Sequence, residues 1–258
     1  MGEGRMAYDK IIGVRTHKTV YKHGSSVIKV FDHHYSKSQI LNEALNLAKV
    51  EETDLNVPSL ISVQSKHDHW MIELSYIAGK SLLRLMQENP QHFSDYLDLL
   101  IDLQIQVHKT KAPILNKMKD KLGAKIEVSV LPATKRIALR LALDKQASEL
   151  SFCHGDFFPG NIIIDKNKTP YIIDWAHASL GSKYADVANS YLDLWIEFNH
   201  QTANAYLNKY IKKTHSNCQD VLSWLPIVAA ARSIHGIQEE KAFLIKIAQQ
   251  TMEANDGC

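Results

Sequence analysis

The sequence predicts an α+β fold in two parts, a small antiparallel sheet carrying one helix and then a larger, mostly helical part. Three observations predict it. Short segments rich in β-branched residues crowd the chain up to Leu74. Helical spacing interrupts them once, in SQILNEALNLAKV from Ser38 to Val50. After Ala78-Gly79 amphipathic helical patterns take over, broken by a single pair of short apolar strands.

Lys10 to Arg15, Thr19 to Lys22 and Val27 to Phe31 read as strands, with His23-Gly24-Ser25-Ser26 turning the second into the third. In the next segment Ile40, Leu41, Ala44, Leu45, Leu47 and Ala48 repeat at helical spacing and leave Glu43 beside the apolar stripe. Leu60 to Val63 and Trp70 to Leu74 return to strand, and His67-Asp68-His69 reads as the turn before the latter. Ser81 to Gln87 is a short helix broken by Asn89-Pro90. Asp95 to His108 places Leu99, Leu100, Leu103 and Val107 on one side, as a helix anchoring a second core does. Pro113 and Pro132 bracket a lysine-rich connection, and Ala133 to Leu150 is helical again. Ile162 to Ile164 and Tyr171 to Ile173 are strands joined by a polar turn, and from Ala185 onward the pattern is helical, with Pro226 opening a late helix. The hinge falls near Ser75 to Gly79, giving an N-terminal lobe over 1–77 and a C-terminal lobe over 78–258.

Composition narrows the classes. The 258 residues suffice for one large or two small domains. At 45% hydrophobic, 22% charged and a formal net charge of +2, the chain shows no bias toward nucleic acid. The lysines at 109, 111, 117, 119, 121 and 125 read as a solvated helix face and loop. Three widely spaced cysteines argue against a disulfide framework and for a reducing compartment. The first ten residues hold no apolar signal region, position 6 is Met where a myristoylation signal wants Ser or Thr, and no apolar run reaches a membrane span. A cytoplasmic protein, monomeric or weakly dimeric, is expected.

The stretch HGDFFPGN, His154 to Asn161, carries the chemistry. Asn161 follows Asp156 by five positions and Asp174 follows it by eighteen, with the two short strands between them. A hairpin there returns Asp174 to the loop holding Asp156 and Asn161. A hard cation such as Mg2+ takes oxygen ligands and relies on one or two carboxylates plus substrate phosphates. Asn161 and Asp174 suit that task, and Asp156 is left to accept or orient a hydroxyl proton. The pattern matches the catalytic half of a kinase-type phosphotransferase.

HGDFFPGN followed by YIIDW resembles the aminoglycoside phosphotransferase and choline kinase-like superfamily, whose fold is protein-kinase-like and bilobal. The resemblance implies that Lys29, in Val27-Ile28-Lys29-Val30, grips the nucleotide phosphates and that Glu43 pairs with it. It implies that the backbone of Ser75 and Ile77, in LSYIAGKSL, hydrogen-bonds the adenine, with Leu74 as gatekeeper. Asp186, in GSKYADVANSYL, would brace the catalytic loop. The cofactors implied are ATP or GTP with Mg2+, and the partner is a small-molecule hydroxyl acceptor, with no nucleic acid and no membrane. Departures exist: the first hairpin, Arg15 to Val20, lacks a Gly-x-Gly-x-x-Gly run, so backbone amides or the Thr16 and Thr19 hydroxyls would meet phosphate. Phe158 stands where many relatives have histidine.

Competing readings are blander. Cys153 is read as a buried structural thiol, and His33-His34 as lacking the spacing of a zinc site. Trp195, Tyr191 and Phe198 are read as core. A non-catalytic nucleotide-binding pseudokinase is the alternative class. The acceptor stays open between an aminoglycoside and choline, a sugar or an amino alcohol, because Asp193, Glu197, Glu239 and Glu240 are mixed with Lys209, Lys212, Lys213 and Lys246.

Overall fold

The computed structural model describes residues 9–15, 17–66, 69–147, 150–234 and 236–250. The readings made at the first eight residues, Thr16, His67, Asp68 and Cys258 fall outside them. In chain order the elements are β1 (Lys10–Arg15), β2 (Lys18–His23), β3 (Ser26–Phe31), α1 (Lys37–Val50), β4 (Leu60–Lys66), β5 (His69–Ser75), β6 (Gly79–Ser81), α2 (Leu82–Glu88), α3 (Phe93–Lys109), α4 (Met118–Glu127), α5 (Ala133–Lys145), β7 (Ser151–Cys153), β8 (Ile162–Asp165), β9 (Pro170–Ile172), β10 (Ser179–Gly181), α6 (Lys183–Glu197), α7 (His200–Thr214), α8 (Cys218–Leu222), α9 (Leu225–Arg232) and α10 (Gln238–Gln249). They form two compact units, Met1–Leu82 with Asn161–His177, and Leu83–Gly160 with Ala178–Cys258.

The first unit is built on an antiparallel sheet in the order β1-β2-β3-β5-β4. Gly24, in left-handed conformation at φ 57°, makes the two-residue turn between β2 and β3. This turn sets the register that pairs Val20 with Lys29 and Lys18 with Phe31. The α1 helix starts at a capping box, in which the Ser36 hydroxyl accepts from Gln39 N–H and the Gln39 side chain accepts from Ser36 N–H. It buries Ile40, Ala44, Leu47 and Val50 toward β4 and β5. The same unit holds a second sheet, β6-β8-β9. A Cβ on Gly79 would stand 2.2 Å from the Ile164 carbonyl oxygen, so only glycine lets β6 lie against β8.

The second unit is helical. On α3, Leu100, Ile101, Leu103 and Val107 are buried, and α7 packs on that helix with Ala203, Tyr206, Leu207 and Tyr210 buried. Pro226 opens α9, whose Leu225, Ile227, Val228 and the run Ala229 to Ala231 are buried between α4, α6 and α10. Among the described residues no helix is long and apolar enough to cross a membrane.

Five elements differ from the sequence reading. The lysine-rich connection contains α4, and α5 stops at Lys145, five residues short of the expected Leu150. The three-residue strands β7 and β10 pair with each other, and β6 extends the hinge. Three residues carry too little periodicity to read, and α4 hides because lysines interrupt its apolar spacing.

Candidate active site

Lys29 sits on β3 with its Nζ 2.6 Å from Glu43 Oε1 and 2.9 Å from Asp174 Oδ1. Residues paired across an antiparallel ladder share a face, so Lys18 on β2 joins the same cluster. Its Nζ lies 3.7 Å from Glu43 Oε1 and 3.8 Å from Asp174 Oδ2, and 5.7 Å from the Phe31 ring centroid. Two ammonium groups therefore face two carboxylates, with Lys29 and Glu43 both buried. Burial alone would lower the Lys29 pKa, but Asp174 and Glu43 together hold it above its ordinary value. Burial would likewise raise Asp174, and Lys29 with Lys18 holds it well below the usual carboxylate range.

The β8–β9 hairpin forms as the two apolar runs predict, Ile162 pairing with Ile172 and Ile163 with Tyr171. Ile173 N–H then donates to the Asn161 carbonyl at 2.9 Å, so the backbones of Asn161 and the residue before Asp174 are bonded directly. Asp174 adopts φ 65°, a left-handed conformation that Asp tolerates better than most residues. The segment after it is pinned by Asn46 on α1, whose Nδ2 donates to the Trp175 and Ala176 carbonyls at 3.3 and 3.2 Å. The donor set suits Mg2+: one amide oxygen at Asn161 and one carboxylate at Asp174, whose side chain keeps 30% of its surface exposed.

At the hinge, Ser75 N–H donates to the Ser59 carbonyl at 2.9 Å, and Ser59 N–H donates to the Ser75 hydroxyl at 2.8 Å. The hydroxyl thus takes the donor that a ladder would otherwise give to the Ser75 carbonyl. Leu74 and Ile72 line a small cavity with Lys29 and Glu43.

The loop holding Asp156 belongs to the second unit and is braced from α6. Gly155, at φ 81°, needs the freedom of glycine, which explains why no side chain follows His154. Gly155 N–H donates to Asp186 Oδ1 at 2.7 Å, and Asp186 Oδ2 accepts from His108 at 3.0 Å and from Gln104 at 3.3 Å. Burial would raise Asp186, and the His108 hydrogen bond and charge hold it low instead. Asp156 N–H lies 3.2 Å from Nδ1 of the fully buried His154. The Phe157 carbonyl accepts from Ser190 Oγ at 2.7 Å, and the Gly155 carbonyl accepts from Asn189 Nδ2 at 3.3 Å.

Around Asp156 the same unit gathers further charge that sequence reading did not assign. Arg232 on α9 donates to the Asn189 carbonyl and Oδ1, both at 3.2 Å, to Asp193 Oδ1 at 2.5 Å and to Glu240 Oε1 at 3.4 Å. Burial pushes Asp193 up to about 7, against the pull of Arg232 and with repulsion from Asp156. Lys121 and Lys125 on α4 are half-buried, correcting the reading of the lysine run as a solvated face, because that side of α4 packs on α9 and β10. Lys121 Nζ donates to the Ala178 carbonyl at 3.3 Å, and burial beside Lys125 pushes it down to about 8.

The remaining readings resolve as follows. Cys153 is buried, its Sγ 3.6 Å from the Ser182 carbonyl oxygen. His34 and His17 both hydrogen-bond Asp32, at 3.2 and 3.0 Å, a grouping that spacing along the chain does not reveal. Tyr191 is buried with its hydroxyl donating to Asn204, Trp195 stacks on His200 at 3.9 Å, and Phe198 meets Phe93 edge-on. Lys18, Asn46 and Arg232 were missed. Only Lys18 left a signal, since a turn at Gly24-Ser25 fixes its parity with Lys29.

A small antiparallel sheet with one helix, a helical second unit and this loop define a kinase-like fold. A thermostable mutant of aminoglycoside phosphotransferase APH(4)-Ia, in ternary complex with AMP-PNP and hygromycin B, superposes with a TM-score of 0.69 at 12% identity, over 92% of this chain and 91% of that one. Choline kinase LicA from Streptococcus pneumoniae gives 0.65 at 15% identity, over 93% and 91%. A choline/ethanolamine kinase family protein from Mesorhizobium loti gives 0.62 at 14%, over 95% and 87%. At these identities the likeness is one of fold. The profile of the phosphotransferase enzyme family, APH, matches residues 14–219, and the chain belongs to that family. No curated protein sequence matches it.

Proposed function

We propose that the chain transfers the γ-phosphoryl group of ATP or GTP to a hydroxyl of a small molecule, with Mg2+ as cofactor. The observation that carries this reading is the Lys29–Glu43–Asp174 cluster, a desolvated cation held by two carboxylates at 2.6 and 2.9 Å. A structural ion pair does not need a second lysine beside it, whereas two ammonium groups at one site suit a polyphosphate. Lys29, oriented by Glu43, binds the nucleotide phosphates, and Lys18 adds a second positive charge. The Ser75 carbonyl and the Ile77 N–H hold the adenine. Asn161 and Asp174 hold the metal, which when bound neutralises developing charge on the phosphates. Bound nucleotides in a fold neighbour support the cofactor assignment, as its complex with AMP-PNP records for that protein.

Asp156 orients the acceptor hydroxyl. The hydroxyl oxygen forms the bond to the γ-phosphorus, the bond from that phosphorus to the β–γ bridging oxygen breaks, and the nucleoside diphosphate leaves with the electron pair. The hydroxyl proton passes to Asp156. The 1–77 segment then serves the nucleotide and 78–258 the chemistry and the acceptor, in the cytoplasm where ATP is supplied. Asp156→Ala is expected to lower turnover by about 10²–10⁴-fold, the range general-base removal covers, while nucleotide still raises the melting temperature. Wild-type turnover in the purified variant would defeat the assignment.

A further inference from the structure

Lys125 is a half-buried side chain in the second unit to which the phosphotransfer reading gives no task. It lies one helical turn beyond Lys121 on α4, so the two share a face. Lys121 is fixed at the Ala178 carbonyl, and the helix packs against α9 and β10, the strand paired with the β7 segment that runs into His154. This places Lys125 within electrostatic reach of both Arg232 and Asp156. Among the described residues it makes no hydrogen bond and no ion pair. The two acidic groups nearest Arg232 do not answer it, because Asp193 and Glu240 are bonded to that guanidinium at 2.5 and 3.4 Å.

We propose that the phosphoryl acceptor carries a carboxylate, and that Lys125 binds it while Asp156 takes the acceptor hydroxyl. The proposal rests on the phosphotransfer reading and specifies its substrate class as hydroxy acids. A half-buried ammonium with no partner is costly, and an anion seated on it recovers a charge-assisted hydrogen bond. Burial and repulsion from Arg232 lower its pKa, with Asp156 offsetting part of the effect. A cationic acceptor meets the opposite situation. Its ammonium would approach Lys125 and Arg232, while Asp193 and Glu240 are already bonded to Arg232. The lysines farther along the chain do not alter the balance, since Lys209 is paired with Asp98 at 2.6 Å and Lys213 with Asp102 at 2.7 Å. Nor is Tyr191 open for a quaternary ammonium, being fully buried.

Matched acceptors that differ only by the carboxylate test this directly: L-serine against ethanolamine, L-homoserine against 3-aminopropanol, and glycerate against ethylene glycol. Nucleoside diphosphate release with MgATP is followed for wild type, Lys125→Gln and Lys125→Arg. At least one carboxylated acceptor is expected to exceed its partner by about tenfold or more in kcat/KM, the equivalent of one ordinary charge-assisted contact. Lys125→Gln should collapse that ratio, mainly through KM, and Lys125→Arg should restore much of it. Wild-type preference for the amines, or a ratio that Lys125→Gln leaves intact, overturns the proposal while phosphotransfer stands. A second arm measures melting temperature with AMP-PNP and each acceptor, which reads binding without turnover. Stabilisation by a carboxylated acceptor in wild type and not in folded Lys125→Gln supports the subsite even if no acceptor is phosphorylated, in which case the transfer reading fails instead. Absence of stabilisation by any carboxylated acceptor, together with no turnover on them, overturns the proposal.

Discussion

Replacing Lys29 by methionine keeps the stem of the side chain and removes its charge. Two carboxylates are then left facing Lys18 alone, at 3.7 and 3.8 Å in place of the 2.6 and 2.9 Å contacts that Lys29 makes. Removing one partner of a fully buried pair costs about 3–5 kcal/mol. Two features reduce that figure here: Asp174 keeps 30% of its side-chain surface exposed, and Lys18 remains within ion-pair reach. A loss of about 2–3 kcal/mol is therefore expected, or about 4–12 °C in melting temperature for a chain of this size. Lys18→Met, which removes only the longer contacts, should cost about 1 kcal/mol or less. The pH dependence gives a second check. Because Asp174 is held below its ordinary range, its contribution is fully present above the unfolded carboxylate value of about 3.9 and is lost as pH falls toward the folded value. In Lys29→Met the folded value rises, so the acid loss begins at higher pH. Thermal or urea unfolding across pH measures both effects. A Lys29→Met protein within about 0.5 kcal/mol of wild type, with an unchanged acid limb, refutes the account of the cluster.

Gly155→Ala forces an L-residue to φ 81°, so a loss of about 1–2 kcal/mol and a fall in turnover larger than the fall in nucleotide affinity are expected, by unfolding and kinetics. Asp186→Asn removes the charge that accepts from Gly155, His108 and Gln104, and should cost about 3 kcal/mol by the same unfolding measurement. Asp193 has a folded pKa raised to about 7, so it favours folding at pH below about 4 and that contribution is lost as pH rises through 7. Asp193→Asn should flatten this decline, and a variant whose pH–stability curve follows wild type would show that Arg232 keeps the carboxylate ionised throughout.

Much of the first unit was legible because its strands are long enough to alternate and its helix carries six apolar residues at one period. The β8–β9 hairpin was legible for the same reason, and with it the return of Asp174 to Asn161. Asn46 was not legible, since a lone amide inside a helix stripe says nothing about the carbonyls of a loop 129 positions later. Arg232 was hidden among the small residues of LPIVAAAR, where its value depends on which carboxylates α6 and α10 present to it. The lysine run misled because charge counts as exposure in any sequence pattern, and only the packing of α4 distinguishes Lys119, Lys121 and Lys125 from the exposed Lys117. The sequence separation of a contact, more than its chemistry, governed what could be seen.

HGDFFPGN is divided by the boundary between the units, which falls between Gly160 and Asn161. Asp156 is anchored within the second unit, through Gly155 to Asp186 and Asn189 and through its own N–H to His154. Asn161 is anchored within the first, through its carbonyl to Ile173 and through the strand that follows it. The residues between are not a passive spacer. Phe157 is 1% exposed with its carbonyl bonded to Ser190, and Pro159 is buried in a single 3₁₀ turn that ends at Asn161. The apolar half of the loop is therefore held by burial and a backbone hydrogen bond on its own account, and is not a free tether between Asp156 and Asn161.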